Sequence, residues 1–177
     1  MSAVAFETAR LRLRQQTLDD AAFVHALLND PDFLRHIGDR GVRTVEDARA
    51  YITAGALASY AAHGFGLWVM ERKDDGMALG LCGLVKRPQL DDVDVGYALL
   101  PTFRGAGYAR EAVAATLAHA AAAHGLTRLI AVVSPDNAPS RRLLEREGFA
   151  FERMVRMAPE EPEILLLALG ITNRAAG

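Results

Sequence analysis

Two glycines that lie between an alternating apolar segment and a long alanine-rich segment could bind an anion. Residues 93–99 alternate apolar with small or acidic side chains, which predicts a strand, and Pro101 ends it because proline has no N–H to donate. Gly105 and Gly107 follow, directly before a predicted helix. Glycine lets the backbone approach a ligand closely, and the first N–H groups of a helix have no intrahelical partner. We therefore expect this loop to bind a phosphate, with Arg104 as a charged donor.

The common nucleotide-binding motifs do not match this loop. A P-loop requires Gly-Lys-Ser/Thr at the helix start, whereas Gly107 is followed by Tyr108 and Ala109. A dinucleotide-binding fingerprint requires a third glycine where Arg110 stands. It also requires an acid about 20 residues further on, and the nearest candidate, Asp136, comes later than that. The loop therefore belongs to neither class.

Another set of motifs identifies the loop by resemblance. In chain order these are Val95-Gly96-Tyr97, the Arg-x-x-Gly-x-Ala of Arg104, Gly107 and Ala109, then Glu111-Ala112, Asn137-Ala-Pro-Ser140 and Glu147-Gly148-Phe149. In this order and spacing they resemble the acetyl-CoA loop of the Gcn5-related N-acetyltransferases (GNAT superfamily). The resemblance is greatest to the branch of the ribosomal-protein N-terminal acetyltransferases (RimJ/RimL-like). It is strong over residues 80–149, and the N-terminal part is similar only in its pattern of elements.

The resemblance implies acetyl-CoA as co-substrate and assigns residues to it. Loop N–H groups would hold the pyrophosphate, and in the family the central strand and the following parallel strand splay apart near Leu99. Backbone groups left without strand partners then bond the pantetheine arm, and one N–H can stabilise the thioester oxyanion. The implied cofactor-binding residues are Leu99, Arg104, Gly105, Ala106, Gly107, Tyr108, Ala109 and Asn137. The alternatives are an ordinary strand-to-helix turn and, for the Leu99 side chain, core packing alone.

The resemblance also suggests two catalytic residues. Asp94 stands where the family often has a glutamate, and a carboxylate there could help deprotonate the acceptor amine through water. Its alternative role is to hold a loop. Ser140 would lie near the CoA sulfur, although both it and Asn137 could simply cap a helix. Many relatives protonate the leaving thiolate with a tyrosine at the position of Leu144, so Ser140 is the best remaining acid.

Composition excludes several classes of function. The chain has 177 residues, 51% of them hydrophobic, and its net charge of −2 gives no basis for binding nucleic acid. No apolar run approaches the roughly 20 residues of a membrane span, and residues 1–8 show no signal peptide. The single cysteine, Cys82, excludes an internal disulfide and is expected in the core, while the histidines lack metal-ligand spacing. We therefore expect a cytoplasmic protein without a bound metal.

Hydrophobic periodicity predicts an α/β chain without repeats or linkers. We expect strands at 10–15, 65–72, 77–85, 93–99 and 129–133 and a final hairpin of 149–157 with 163–169. The predicted helices are 17–28, 44–64, 107–124 and 139–147, with a loop at 32–43 that could contain one helical turn. Trp68 and Tyr97 are expected in the core, with lining of the acceptor cleft as their alternative. These elements predict one domain over residues 1–177, a mixed and mostly antiparallel sheet flanked by helices, with the splayed parallel pair at the acetyl-CoA site.

The sequence thus predicts an enzyme that transfers an acetyl group from acetyl-CoA to a primary amine, directly within a ternary complex. The acceptor could be a peptide N-terminus or a small molecule, and the protein could be a monomer or a homodimer. A non-catalytic acyl-CoA or nucleotide sensor on the same fold is the rival hypothesis.

Overall fold

In the described part of the chain, a single mixed sheet of eight strands organises the fold, with helices on both faces. The computed structural model describes residues 2–171. The strands are β1 (Val4–Glu7), β2 (Leu11–Arg14), β3 (Leu67–Arg72), β4 (Ala78–Val85), β5 (Asp94–Leu99), β6 (Arg128–Val133), β7 (Ala150–Val155) and β8 (Ile164–Gly170). Their order in the sheet is β1-β2-β3-β4-β5-β6-β8-β7. Among the described strands only β5 and β6 run parallel, so the expected mixed and mostly antiparallel sheet is confirmed.

Six α-helices within residues 2–171 connect and cover the strands. They are α1 (Ala21–Leu28), α2 (Pro31–His36), α3 (Val45–Ile52), α4 (Ala58–His63), α5 (Tyr108–His124) and α6 (Ala138–Arg146). The predicted helical turn in the polar 32–43 segment is confirmed as α2, which Asp30 caps by accepting from the Phe33 N–H at 3.2 Å. Pro31 occupies its first turn, where a missing N–H costs nothing.

Two predictions about the first half of the chain need correction. Strand β1, an edge strand of only four residues, was not predicted. The helix predicted over 44–64 is interrupted, since a π-helical turn at Thr53–Leu57 separates α3 from α4. Gly55 within that turn has a low helix propensity, which is consistent with the irregularity.

Buried apolar residues cluster on both faces of the sheet, and a smaller cluster of Leu90, Ile130, Val155 and Leu166 lies at its β6-β8-β7 end. Helices α5 and α6 cover one face, where Val113 and Leu144 pack with Trp68 and Cys82. Helices α1 to α3 cover the other face through a second cluster of buried residues, Ala21, Val24, Leu27, Leu28, Phe33, Ala48 and Ile52, against Val69 and Leu81 of the sheet. Strand β5 therefore has a different helical layer on each side, and its alternating side chains reach both layers.

Candidate active site

The parallel strands β5 and β6 diverge directly after their first paired residues. Their ladder consists of Asp94 opposite Ile130, and the Ile130 N–H donates to the Val93 carbonyl at 3.0 Å. Strand β5 continues to Leu99 and β6 continues to Val133, but beyond Ile130 strand β6 pairs with β8 on its other side and no longer with β5. A gap therefore opens between the carboxyl ends of two neighbouring strands, which is the splay that the sequence resemblance implied.

The antiparallel register between β4 and β5 shows which backbone groups face this gap. The Leu100 N–H donates to the Leu79 carbonyl at 2.9 Å, and Gly80 lies opposite Leu99. Backbone groups of successive strand residues point to opposite sides, so Leu99 and Tyr97 direct their N–H and C=O groups away from β4. The gap is thus lined by main-chain donors and acceptors that the sheet does not use.

The glycine loop follows β5 and ends at the start of α5. Gly105 and Gly107 have φ values of 81° and 83°, which only glycine adopts readily, and Gly107 is the N-cap of α5. The first bond that closes a turn of α5 runs from the Glu111 N–H to the Gly107 carbonyl at 3.1 Å. The amides of residues 107–110 therefore precede the first intrahelical hydrogen bond, and the helix dipole adds positive potential there. The predicted residues Ala106, Tyr108 and Ala109 belong to the same short segment.

Arg104 makes contacts that the sequence did not reveal. Its Nη2 donates to Asp30 at 2.7 Å and its Nη1 donates to Asp32 at 2.5 Å. Its Nε and Nη2 also donate to the Leu99 carbonyl, at 3.2 and 2.9 Å. Four of the five N–H groups of a guanidinium are thereby used, and Arg104 connects α2 to the end of β5. The contact of Arg104 with phosphate stays a prediction, and only the second N–H of Nη1, which makes none of these bonds, is available for it.

Tyr97 and Ser140 bring two hydroxyl groups together beside the gap. Their oxygens are 2.6 Å apart, with Tyr97 on β5 and Ser140 in the first turn of α6. Burial raises the pKa of the Tyr97 hydroxyl to about 12, so it is a neutral hydrogen-bond donor. Asn137 caps α6 and accepts from the Ser140 N–H at 3.3 Å, which fixes the position of this serine. The sequence predicted Tyr97 in the core, with lining of the cleft as its alternative, and gave no sign of this pair.

Asp94 lies at the closed end of the gap. Its side chain is buried and accepts from Arg87 Nε at 2.8 Å through one oxygen, while Oδ1 has no hydrogen-bond partner among the described residues. Burial raises the pKa of this carboxyl, although Arg87 opposes the shift. Strand alternation places Asp94 on the same face as Ala98, which packs toward α1 to α3, whereas Tyr97 packs toward α5 and α6. Asp94 and the hydroxyl pair thus lie on opposite faces of β5.

Helix α2 bridges the open end of the gap. Arg104 links its start to β5, and at its other end the His36 carbonyl accepts from Ser134 Oγ at 2.9 Å, directly after β6. Arg35 and His36 also lie near Asp136, with Arg35 Nη2 at 3.2 Å from its carboxylate. The chain around α2 therefore lies across the open end of the gap between β5 and β6.

Several other residues take ordinary structural roles. Cys82 is fully buried, its Sγ lies 3.4 Å from Thr116 Oγ1, and burial raises the pKa of its thiol to about 12, so it is no nucleophile. Within residues 2–171, no three His, Cys, Asp or Glu side chains are grouped closely enough to hold a metal ion. No helix in this part of the chain is both long and apolar enough for a membrane crossing.

Comparison with known proteins assigns the family. Residues 10–150 match the model of the acetyltransferase (GNAT) domain. The chain is 32% identical over 151 residues to the uncharacterized N-acetyltransferase YoaA of Bacillus subtilis (strain 168), covering 85% of each protein. Its structure is similar to that of Mycobacterium smegmatis RimJ in complex with CoA-disulfide, with a TM-score of 0.75, 26% identity and coverage of 95% and 90% of the two chains. An acetyltransferase from Agrobacterium tumefaciens str. C58 shares the fold with a TM-score of 0.80, 23% identity and 94% coverage of each chain. The chain therefore belongs to the GNAT acetyltransferase family and is an N-acetyltransferase.

Proposed function

We propose that the protein transfers the acetyl group of acetyl-CoA to a primary amine by direct attack within a ternary complex. The observation that carries this proposal is the gap between β5 and β6, whose walls expose main-chain hydrogen-bonding groups of Tyr97 and Leu99. Relatives of this fold bind CoA, as the RimJ complex illustrates. An extended amide-containing chain such as pantetheine would satisfy groups that are costly to leave unpaired.

The glycine loop would hold the pyrophosphate. The amides of residues 107–110 are available, and Gly107 leaves no side chain between them and a ligand. The Leu99 carbonyl already accepts hydrogen bonds from Arg104. The Leu99 N–H is therefore the backbone group of this residue that remains available to a ligand in the gap. We assign the pantetheine arm to this strand end and to Asn137, and the phosphates to the loop.

The hydroxyl pair would assist departure of the thiolate. A Tyr97 O–H that donates to Ser140 Oγ leaves the serine proton free to point into the gap. The proton would pass from Ser140 to the sulfur as the C–S bond breaks, and Tyr97 would stabilise the serine oxygen. This arrangement supplies an acid although Leu144, which replaces the usual tyrosine, is buried in the core.

Asp94 would assist deprotonation of the attacking amine from the other face of β5. Its raised pKa makes it a stronger base than an exposed aspartate. The distance along the strand from Asp94 to Leu99, about 16 Å for five residues, requires water to carry the proton. Glu160 and Glu161, exposed in the turn between β7 and β8, are the next residues to test as the base.

A panel of amines tests the function and identifies the acceptor class. Release of free CoA thiol from acetyl-CoA would be followed with N-terminal peptides, polyamines, aminoglycosides and amino acids. We expect thiol release only when one class of amine is present, together with a product whose mass is that of the acetylated amine. Thiol release without an acetylated amine, or an acetylated enzyme that forms without acceptor, would contradict direct transfer. The cytoplasmic location and the choice between monomer and homodimer stay predictions, and sedimentation of the purified protein tests the latter.

A further inference from the structure

The turn between β1 and β2, to which no function has been assigned so far, reaches across to the first turn of α5. Glu111 accepts three hydrogen bonds from this turn, at 2.5 Å from Thr8 Oγ1, 2.9 Å from the Arg10 N–H and 2.7 Å from Arg10 Nε. Thr8 and Arg10 lie 103 and 101 residues before Glu111, so their proximity is a product of the fold. The Lys73 N–H donates to the Arg10 carbonyl at 3.0 Å, which anchors the turn to the next hairpin as well.

Arg10 continues from Glu111 into the glycine loop itself. Its Nη1 donates to the Ala106 carbonyl at 2.9 Å, and its guanidinium carbon lies 4.2 Å from the centre of the Tyr108 ring. Its Nη2 would lie 3.4 Å from a Cβ on Gly107. One side chain therefore contacts the residues on both sides of Gly107, and its bond to the Ala106 carbonyl fixes the direction of the peptide group between Ala106 and Gly107.

The charge of Glu111 explains why this contact matters for an anion site. A carboxylate in the first turn of a helix interacts favourably with the dipole and therefore competes with a bound anion. Burial alone would raise the pKa of Glu111, but hydrogen bonds from Thr8 and Arg10 hold it below its ordinary value, so the group is ionised at neutral pH. Arg10 is its charged partner and also lies beside the amides that precede the first helical hydrogen bond.

We propose that Arg10 is a positioning residue for the acetyl-CoA phosphates. Arg10 neutralises Glu111 and fixes the Ala106 carbonyl, so that the amides at the start of α5 remain free for the anion. This inference rests on the proposed binding of the pyrophosphate at the glycine loop. Arg10 acts through the loop and need not contact the cofactor.

The test is the response of KM and kcat to Arg10→Ala. We expect the KM for acetyl-CoA to rise about tenfold while kcat changes less than twofold. The KM for S-acetylpantetheine, which lacks the pyrophosphate, should change less than twofold. Arg12→Ala is the matched control, because Arg12 has a similar exposure, 37% against 43%, but pairs with Glu7 and Glu71, away from the loop. An unchanged KM for acetyl-CoA, or an equal rise with both substrates, would overturn the proposal.

A second variant separates loss of charge balance from general damage to the fold. Arg10→Ala combined with Glu111→Gln removes both charges, and we expect it to recover at least threefold of the lost acetyl-CoA affinity in calorimetry. A double variant that binds no better than Arg10→Ala would show that neutralisation of Glu111 is not the role of Arg10. Gly107→Val tests the loop assignment separately, because an unchanged acetyl-CoA affinity in this variant would show that the loop is not the phosphate site. If Gly107→Val loses affinity but the Arg10 variants bind acetyl-CoA normally, the Arg10 proposal alone fails.

Discussion

Replacement of Arg104 by alanine should destabilise the protein, because this side chain joins α2 to β5. The variant removes two ion pairs and the hydrogen bonds to the Leu99 carbonyl. The Asp30 carboxylate would be affected most, since its side chain is only 5% exposed and would lose its charged partner. Asp32 is 56% exposed and water would replace its lost contact.

The expected loss follows from this difference in burial. An exposed ion pair such as Arg104–Asp32 contributes between about 0 and 1 kcal/mol. Breaking a fully buried pair costs about 3–5 kcal/mol, but here Arg104 is 36% exposed and Asp30 keeps its bond from the Phe33 N–H, so the cost is smaller. We expect the free energy of unfolding to fall by about 2 kcal/mol, which lowers Tm by roughly 4–8 °C for a protein of this size.

Urea unfolding of a double-mutant cycle provides the measurement. Asp30→Asn keeps a good N-cap for α2 but removes the charge, so its combination with Arg104→Ala should show a coupling energy of about 1 kcal/mol or more. Asp32→Asn should change stability by less than about 0.5 kcal/mol. A stability of Arg104→Ala equal to that of the unmodified protein would refute the structural role. In the folded variant, acetyl-CoA should lose more affinity than S-acetylpantetheine if Arg104 also meets the phosphates, and equal losses would leave only the structural role.

The remaining predictions concern the loop and the two proposed catalytic groups. Gly107→Val should abolish acetyl-CoA binding in calorimetry because a branched side chain fills the phosphate site; Gly125→Val, which introduces the same backbone strain at the other end of α5, should not. Asp94→Asn should lower kcat mainly at low pH, where the amine is protonated. Because burial raises the pKa of Asp94, the acidic limb of the pH–rate profile should lie above the ordinary aspartate pKa of about 3.9, and Asp94→Asn should remove this limb. An unshifted profile would place the base elsewhere. Ser140→Ala should lower kcat about 10²-fold at all pH values with little change in acetyl-CoA affinity, and an unchanged kcat would exclude Ser140 as the acid.

The second half of the fold was predictable because its signals are local. The alternation of residues 93–99, the glycines before α5 and the apolar run within β6 each determine an element without help from distant residues. Strand β1 was missed because four residues, with Val4 half exposed, carry too little periodicity to distinguish a strand from a loop. The π-helical turn at Thr53–Leu57 was missed because hydrophobic spacing did not distinguish it from the α-helices on either side.

The candidate site was predictable only where its residues are close in sequence. The segment from Leu99 to Ala109 is continuous, so resemblance and helix-terminus physics identified it directly. The partners of Arg104 lie 72 and 74 residues away, and Tyr97 meets Ser140 across 43 residues. Sequence spacing contains no information about such contacts, which arise from the order of strands in the sheet. A hydroxyl pair and a structural role for Arg104 therefore required the structure.

Amide hydrogen exchange with and without CoA tests whether the gap and the glycine loop are the acetyl-CoA site. We expect CoA to slow exchange at the amide of Leu99 and at the amides of residues 107–110, which have no acceptor among residues 2–171. The amide of Leu100, already bonded to the Leu79 carbonyl, should change little and serves as the internal control. Protection confined to other segments, with Leu99 and the loop unchanged at saturating CoA, would contradict the assignment of the gap and the glycine loop as the acetyl-CoA site.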